Sequence, residues 1–164
     1  MEKVEIYTDG SCLGNGNENN FGGYCGIVKY LNKNEQVVVG GEINTTNNKM
    51  ELMAIIESIK AIPSKCEITI HSDSKITVDA INIWIKGWIK NNWKTSDKKI
   101  VANKDLWEKY LVVSQQHQVK AEWVKGHSGN KYNELCNAKA VQEAKKLQNE
   151  NSKGEKISLF SKIL

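Results

Sequence analysis

Apolar and polar residues alternate from Glu2 to Tyr7, and the alternation stops at "TDG", which predicts a strand ending in a turn. After a Gly/Asn-rich stretch, Gly14 to Asn20, the runs "GGYCGIVKYL" and "EQVVVGGEI" flank "NKN" and read as a hairpin. The first three strands therefore form an antiparallel meander. "NNKMELMAIIESIKAI" sets Met50, Met53, Ala54, Ile56 and Ile59 near helical spacing, with Pro63 as a stop signal. "CEITIHSDS" returns to strand, and "SKITVDAINIWI", which has neither strict alternation nor a clean stripe, is read as helix. "NKDLWEKYLVVSQQ" predicts a helix capped at Asn103 or Asp105, "QVKAEWV" a short strand, and Tyr132 to Leu147 a closing helix. Three strands followed by alternating helix and strand predict an α/β fold: a five-stranded mixed sheet, an antiparallel meander plus two parallel strands, flanked by helices.

Beyond Gln148, "QNENSKGEKISLFSKIL" loses its periodicity and breaks at Gly154, so a domain over 1–148 and a tail over 149–164 are expected. A chain of 164 residues suits a single core. No apolar run approaches the length of a bilayer, and "MEKVEIYTDG" lacks the basic-then-apolar pattern of an export signal, so a cytoplasmic protein without a membrane span is expected. Cys12, Cys25, Cys66 and Cys136 are scattered with no C-x-x-C pair, which argues for reduced packing thiols over zinc or redox chemistry. The net charge of +4 understates one local excess. Lys86, Lys90, Lys94, Lys98, Lys99 and Lys104 face a single acid, Asp97, in the stretch from Trp84 to Lys104.

Open α/β sheets build their sites at the carboxyl ends of strands. Asp9 and Asp73 stand at the ends of the first and fourth predicted strands, and Glu51 in the first turn of the helix after the meander. Singly, each is an ordinary turn or helix-start acid; together they can meet above one sheet edge. Oxygen ligands without histidine or cysteine suit Mg²⁺ or Mn²⁺. Two such ions about 3.5 to 4 Å apart can activate a water and stabilise the departing oxygen of a phosphodiester, which is a nuclease design. In "GHSGNKYNELCNAKA", Asn137 lies in a helical segment on what reads as the inward face, beside Cys136 and Ala138, and needs a polar partner there.

The blocks "YTDGSCLGN", "TTNNKMELMAI", "HSDS" and "WVKGHSGNKYNELCNAKA", in this order and spacing, resemble the type 1 ribonuclease H family of bacteria from about Val4 to Lys146. The resemblance implies a ribonuclease H-like fold. It also implies cleavage of the RNA strand of RNA/DNA hybrids with two Mg²⁺ ions, leaving a 3′-hydroxyl and a 5′-phosphate. Asp9, Glu51 and Asp73 are then metal ligands, and His127 the mobile-loop histidine acting near the nucleophile or in product release. Imidazole titrates near neutrality, and Gly126 and Gly129 flank it. His71 and His117 match nothing catalytic and are expected to be solvated. Asn137 stands where the family carries its fourth acidic ligand, an aspartate, so it is expected to face the metals with a neutral carbonyl oxygen and to weaken the second ion. Its origin is either a substitution made to trap substrate uncut or a natural variant; shape kept and charge removed favour the first. Glu134, three residues earlier, is a weaker candidate to compensate.

By the same resemblance, Cys12, Gly14, Asn15, Asn47 and Glu51 lie along the RNA strand and Thr46 belongs to a DNA-phosphate pocket. Read from the residues alone, "TTNN" is a capping turn. Lys75 replaces a common glutamine, Asn44 stands where a phosphate-gripping arginine is common, and "NGNENNFGG" is longer than usual. In "WIKGWIKNNWKTSDKK", Trp84, Trp88 and Trp93 interleave with Lys90 and its neighbours, a pattern suited to phosphates and sugar faces, with at least one tryptophan mostly core. It matches the family's basic protrusion, which grips the DNA strand. The rival readings are a non-catalytic hybrid-binding module and a junction resolvase or integrase core. "KISLF", Lys156 to Phe160, resembles a sliding-clamp docking pentapeptide with Lys156 in place of glutamine, and a tail folded back on its own domain competes with that role. A monomer is expected.

Overall fold

The computed structural model describes the chain except residues 15–18, 33, 127–128 and 164, with backbone alone over 155–163. Five strands, β1 (Glu2–Leu13), β2 (Phe21–Tyr30), β3 (Glu35–Ile43), β4 (Cys66–Ser72) and β5 (Gln118–Trp123), form one sheet in the order β3-β2-β1-β4-β5. β1–β2 and β2–β3 are antiparallel, β1–β4 and β4–β5 parallel, so the mixed sheet expected from the alternation is the one observed.

β1 does not stop at "TDG". Its parallel pairing with β4 ends at Tyr7 opposite His71, but the strand continues beside β2 as far as Leu13 opposite Phe21. Asp9 therefore sits within a long strand, just past the end of its parallel neighbour.

The helices cover both faces. Helix α1 (Asn47–Lys60) is capped by the Thr46 hydroxyl, which accepts from the Lys49 N–H at 3.1 Å, and buries Met50, Leu52, Ala54, Ile55, Ile56 and Ile59. Helix α4 (Lys104–Ser114) adds Leu106, Trp107 and Tyr110 to the same core, which also takes Ile6, Val28, Ile68 and Ile70 from the strands. Its cap position is Asn103, in the left-handed region at φ 59°, but the asparagine side chain makes no capping bond. On the opposite face, α5 (Lys131–Ile163) lays Cys136 and Ala140 over Cys25 and Ile27. All four cysteines are free thiols.

Between β4 and α4 the chain is helical in three joined pieces: α2 (Lys75–Asp79), a π-helical turn over Ala80–Trp84, and α3 (Ile85–Lys90). The wider turn rotates the residues after it relative to those before, which is why "SKITVDAINIWI" carries no single apolar stripe. A second difference lies at the C-terminus. The break expected at Gly154 is absent, and the α5 backbone remains helical to Ile163 although the amphipathic pattern ends near Leu147. Lost periodicity there marks the end of packing against the sheet rather than the end of the helix. No helix among the described residues is long and apolar enough to cross a membrane.

Candidate active site

Extending the parallel register past Tyr7 and His71 sets Thr8 level with Ser72 and Asp9 level with Asp73. Two hydroxyl–acid pairs thus end up side by side. Thr8 and Ser72 are both fully buried, Asp9 follows Thr8 within β1 and so presents its side chain to the other face along the pleat, and Asp73 stands in the bend just past the end of β4. Glu51 reaches them because α1 crosses β1 at Gly10, where a Cβ would stand 2.6 Å from the Glu51 backbone nitrogen. One ligand oxygen from each of Asp9, Glu51 and Asp73 lies within 4.8 Å of the others.

Glu51 is held by one end. The Thr8 and Ser72 hydroxyls donate to its Oε1 at 2.8 and 2.7 Å, so neither of these bonds uses Oε2. Burial, reinforced by the negative charges of Asp9 and Asp73 against the two hydroxyl bonds, pushes the carboxyl up to about 7. Three acids this close, Asp9 and Glu51 buried and Asp73 half-buried, call for a cation, and an all-oxygen donor set fits a hard divalent ion.

Asn137 faces this cluster. Its Nδ2 donates to Asp9 Oδ2 at 2.9 Å, while Asp9 Oδ1 accepts from the Gly10 N–H at 2.9 Å. The approach of α5 depends on Gly23 of β2, where a Cβ would collide with the Ala140 carbonyl. Within α5, Cys136 is the inward neighbour; Ala138, read from the sequence as inward, is exposed. Glu134 is exposed as well and makes none of the bonds that tie Asn137 to Asp9.

His127 and Asn15 lie outside the described residues. Gly126, at the root of the histidine loop, packs on the site, since a Cβ there would be 3.2 Å from Asp73 Oδ2. The Trp123 indole donates to the Asp73 carbonyl at 3.3 Å from the end of β5. Cys12 reaches the next loop, its Sγ facing the Thr45 carbonyl at 3.8 Å, and Gly14 has φ 92°. Thr46 and Asn47 are exposed at the start of α1, and it is Thr46 that caps the helix. Lys75 is exposed in the first turn of α2, two residues past Asp73.

The tryptophans form a separate group. Trp88 sits between Trp84 and Trp93, both at 6.3 Å, and meets Trp107 edge-on at 5.6 Å. Trp88 and Trp93 pack on the main core, whereas Trp84 stays 41% exposed beside the exposed Lys86 and Lys90. Two of these rings thus lie half-buried against the core and the third, Trp84, is a surface one.

Sequence reasoning left out Thr8 and Ser72; the repeated hydroxyl-then-acid pairs "TD" and "SD" at the ends of two apolar runs were the available signal. It also read His71 and His117 as solvated, and both are engaged. His117 is buried and its Nδ1 accepts from the Cys66 N–H at 3.0 Å. His71 stacks on Tyr7 with centroids 4.5 Å apart and places Nε2 3.2 Å from Glu5 Oε1.

The family model for RNase H matches residues 1–145. A ribonuclease H of Campylobacter jejuni is 48% identical over 151 residues, covering 92% of this chain and 97% of that protein. A ribonuclease H of Pseudoalteromonas atlantica is 46% identical over 140 residues, 85% of this chain and 89% of the relative. Among solved structures, LC9-RNase H1, described as a type 1 RNase H with the type 2 active-site motif, superposes with a TM-score of 0.79 at 34% identity, covering 88% of this chain and 72% of that one. With the fold, the three converging acids and these relatives in agreement, the chain belongs to the RNase H family, type 1.

Proposed function

We propose that the chain is an endonuclease that hydrolyses the RNA strand of RNA/DNA hybrids, acting as a cytoplasmic monomer. The observation that carries this reading is the convergence of Asp9, Glu51 and Asp73 within 4.8 Å where β1 runs on past the carboxyl end of β4. Asp9, Glu51 and Asp73 would hold two Mg²⁺ ions, with Mn²⁺ as a substitute, and the Asn137 carbonyl would complete the set. When bound, such a pair supplies an activated water and stabilises the departing oxygen of a phosphodiester.

The chain's own groups prepare that site. Thr8 and Ser72 fix the Glu51 rotamer through Oε1. The Asn137 amide orients Asp9 through Oδ2, and the Gly10 N–H does so through Oδ1. His127, next in sequence to the Gly126 that packs on Asp73, would move a proton beside the nucleophile or the departing product. Cys12, Gly14, Asn15 and Asn47 would follow the RNA strand and Thr46 a DNA phosphate. Lys75, Trp84, Lys90 and, with smaller exposed area, Trp88 and Trp93 would carry the charge and ring contacts to the duplex.

Asn137 supplies one negative charge fewer than an aspartate, so activity is reduced, and this favours a second reading, a hybrid-binding module that does not cut. A labelled RNA/DNA duplex incubated with Mg²⁺ and then Mn²⁺, for the chain and for Asn137→Asp, separates the two. Faster cleavage by the variant supports an impaired enzyme, and absence of cleavage by both proteins under either ion ends the nuclease reading. The C-terminal segment Lys156–Phe160 would dock on a sliding clamp; clamp affinity that survives deletion of Gly154 to Leu164 removes that role.

A further inference from the structure

Away from the acidic trio, three asparagines tie two loops together. The Thr45 N–H donates to Asn20 Oδ1 at 2.8 Å, the Asn20 N–H donates to Asn44 Oδ1 at 3.2 Å, and Asn44 Nδ2 donates to Asn19 Oδ1 at 3.0 Å. A backbone bond from the Asn44 N–H to the Asn20 carbonyl, 2.8 Å long, runs alongside. The end of β1 is drawn into the same cluster. Gly14 packs on the Asn19 carbonyl, where a Cβ would stand 3.0 Å away, and Cys12 Sγ faces the Thr45 carbonyl.

Asn44 makes this possible through its backbone. At φ 57° it occupies the left-handed region, which asparagine enters at lower cost than most side chains, and its amide turns back on the preceding loop. Both ends of that amide are then engaged, one accepting and one donating. The bonds join Asn19–Asn20 to Asn44–Thr45. Asn19 packs on Gly14, just past the end of β1, and Thr45 leads directly into Thr46 and Asn47 at the start of α1, so the clasp borders both segments assigned above to the RNA strand and a DNA phosphate.

We propose that Asn20 and Asn44 are positioning residues for hybrid recognition: their amide clasp fixes the spacing of these two segments so that they meet the minor groove of an RNA/DNA duplex as one rigid surface. The inference rests on the hybrid reading above. Contact with 2′-hydroxyls requires donors and acceptors held in place, and a loop ordered before binding loses less entropy on binding. A DNA duplex has no 2′-hydroxyls to reward that order, so the clasp favours the hybrid selectively.

The test is binding of a fluorescent RNA/DNA hybrid and of the DNA duplex of the same sequence, by anisotropy with Ca²⁺, to the full chain and to Asn20→Ala, Asn44→Gly and the double variant. Glycine at 44 removes the side chain without strain at positive φ. Each single variant is expected to weaken hybrid binding about fivefold and DNA binding less than about twofold, and the double variant to be no weaker than the worse single, because both belong to one clasp. Equal losses on both duplexes, unchanged hybrid binding, or additive losses overturn the clasp. If the parent chain itself shows no preference for the hybrid, the functional reading beneath it fails instead.

Discussion

Asn137→Asp changes one atom and should reverse the sign of one contact. The amide Nδ2 now donates to Asp9 Oδ2 at 2.9 Å; an isosteric aspartate sets a carboxylate oxygen against a carboxylate oxygen at that place. Two unit charges about 4 Å apart repel by about 4 kcal/mol at an effective dielectric near 20, and rotation toward solvent at the half-buried position 137 reduces this to about 1 to 2 kcal/mol. Losing a hydrogen bond to a charged acceptor adds about 1.5 kcal/mol. The metal-free variant should therefore be less stable by about 3 kcal/mol, a fall in Tm of about 6 to 12 °C for a chain of 164 residues.

The assay is thermal unfolding in EDTA and again with rising Mg²⁺. Four carboxylates bind a divalent ion more tightly than three, so the variant should gain more from Mg²⁺ and recover most or all of the deficit. Asn137→Ala, which removes the bond without adding charge, belongs between the two in EDTA. A variant melting within about 2 °C of the parent in EDTA would refute the reasoning, because position 137 would then not be electrostatically coupled to Asp9.

Glu51 stands at about 7, above the ordinary 4.5, so its protonated form favours the fold. That contribution, a few kcal/mol, is full below about pH 4.5 and lost as pH rises through about 7. Metal-free Tm against pH should carry this slope and Glu51→Gln should remove it, while Mg²⁺ affinity rises across the same window because the ion needs the ionised form. His117 has the opposite sign: burial lowers it below the ordinary 6.5, so its contribution is present above pH 6.5 and lost as pH falls through the lower folded value. Flattening of the acid limb in His117→Asn checks this by urea titration at pH 5 and 7. Trp88→Ala should lower stability by about 2 to 3 kcal/mol, since Trp88 packs on the main core, whereas Trp84→Ala should leave Tm nearly unchanged and weaken duplex binding. Asn82 blocks the outer edge of β5 by accepting from the Ala121 N–H at 2.9 Å and donating to the Ala121 carbonyl at 2.8 Å. Asn82→Ala should cost about 1 to 3 kcal/mol and raise aggregation, measured by unfolding and light scattering.

The sheet was most legible where a strand is half-buried, because burial writes alternation into the sequence: Cys66–Ser72 of β4 alternate buried and half-buried residue by residue. β3 is largely exposed and was legible instead from a valine run bounded by turn residues. What alternation does not encode is partnership. β1 looks finished at "TDG" because a glycine with the next polar residue resembles a turn, yet β2 keeps the strand going, and the acid is presented where β4 has ended and β2 has not. Helix ends were legible where a cap or a proline marks them, as at Thr46 and Pro63. They were lost where the backbone changes period, as at the π turn, or outlasts its packing partner, as in α5. The site follows the same division. Acid identity is readable letter by letter, but the shell that holds it is made by residues whose neighbours are set by register: Thr8 and Ser72 read as ordinary strand residues until β1 and β4 lie side by side. Asn137 is the informative exception. A polar letter beside the buried Cys136, where α5 packs on the sheet, has to be satisfied across the interface, so the sequence alone required a partner, and Asp9 is the group placed to provide it.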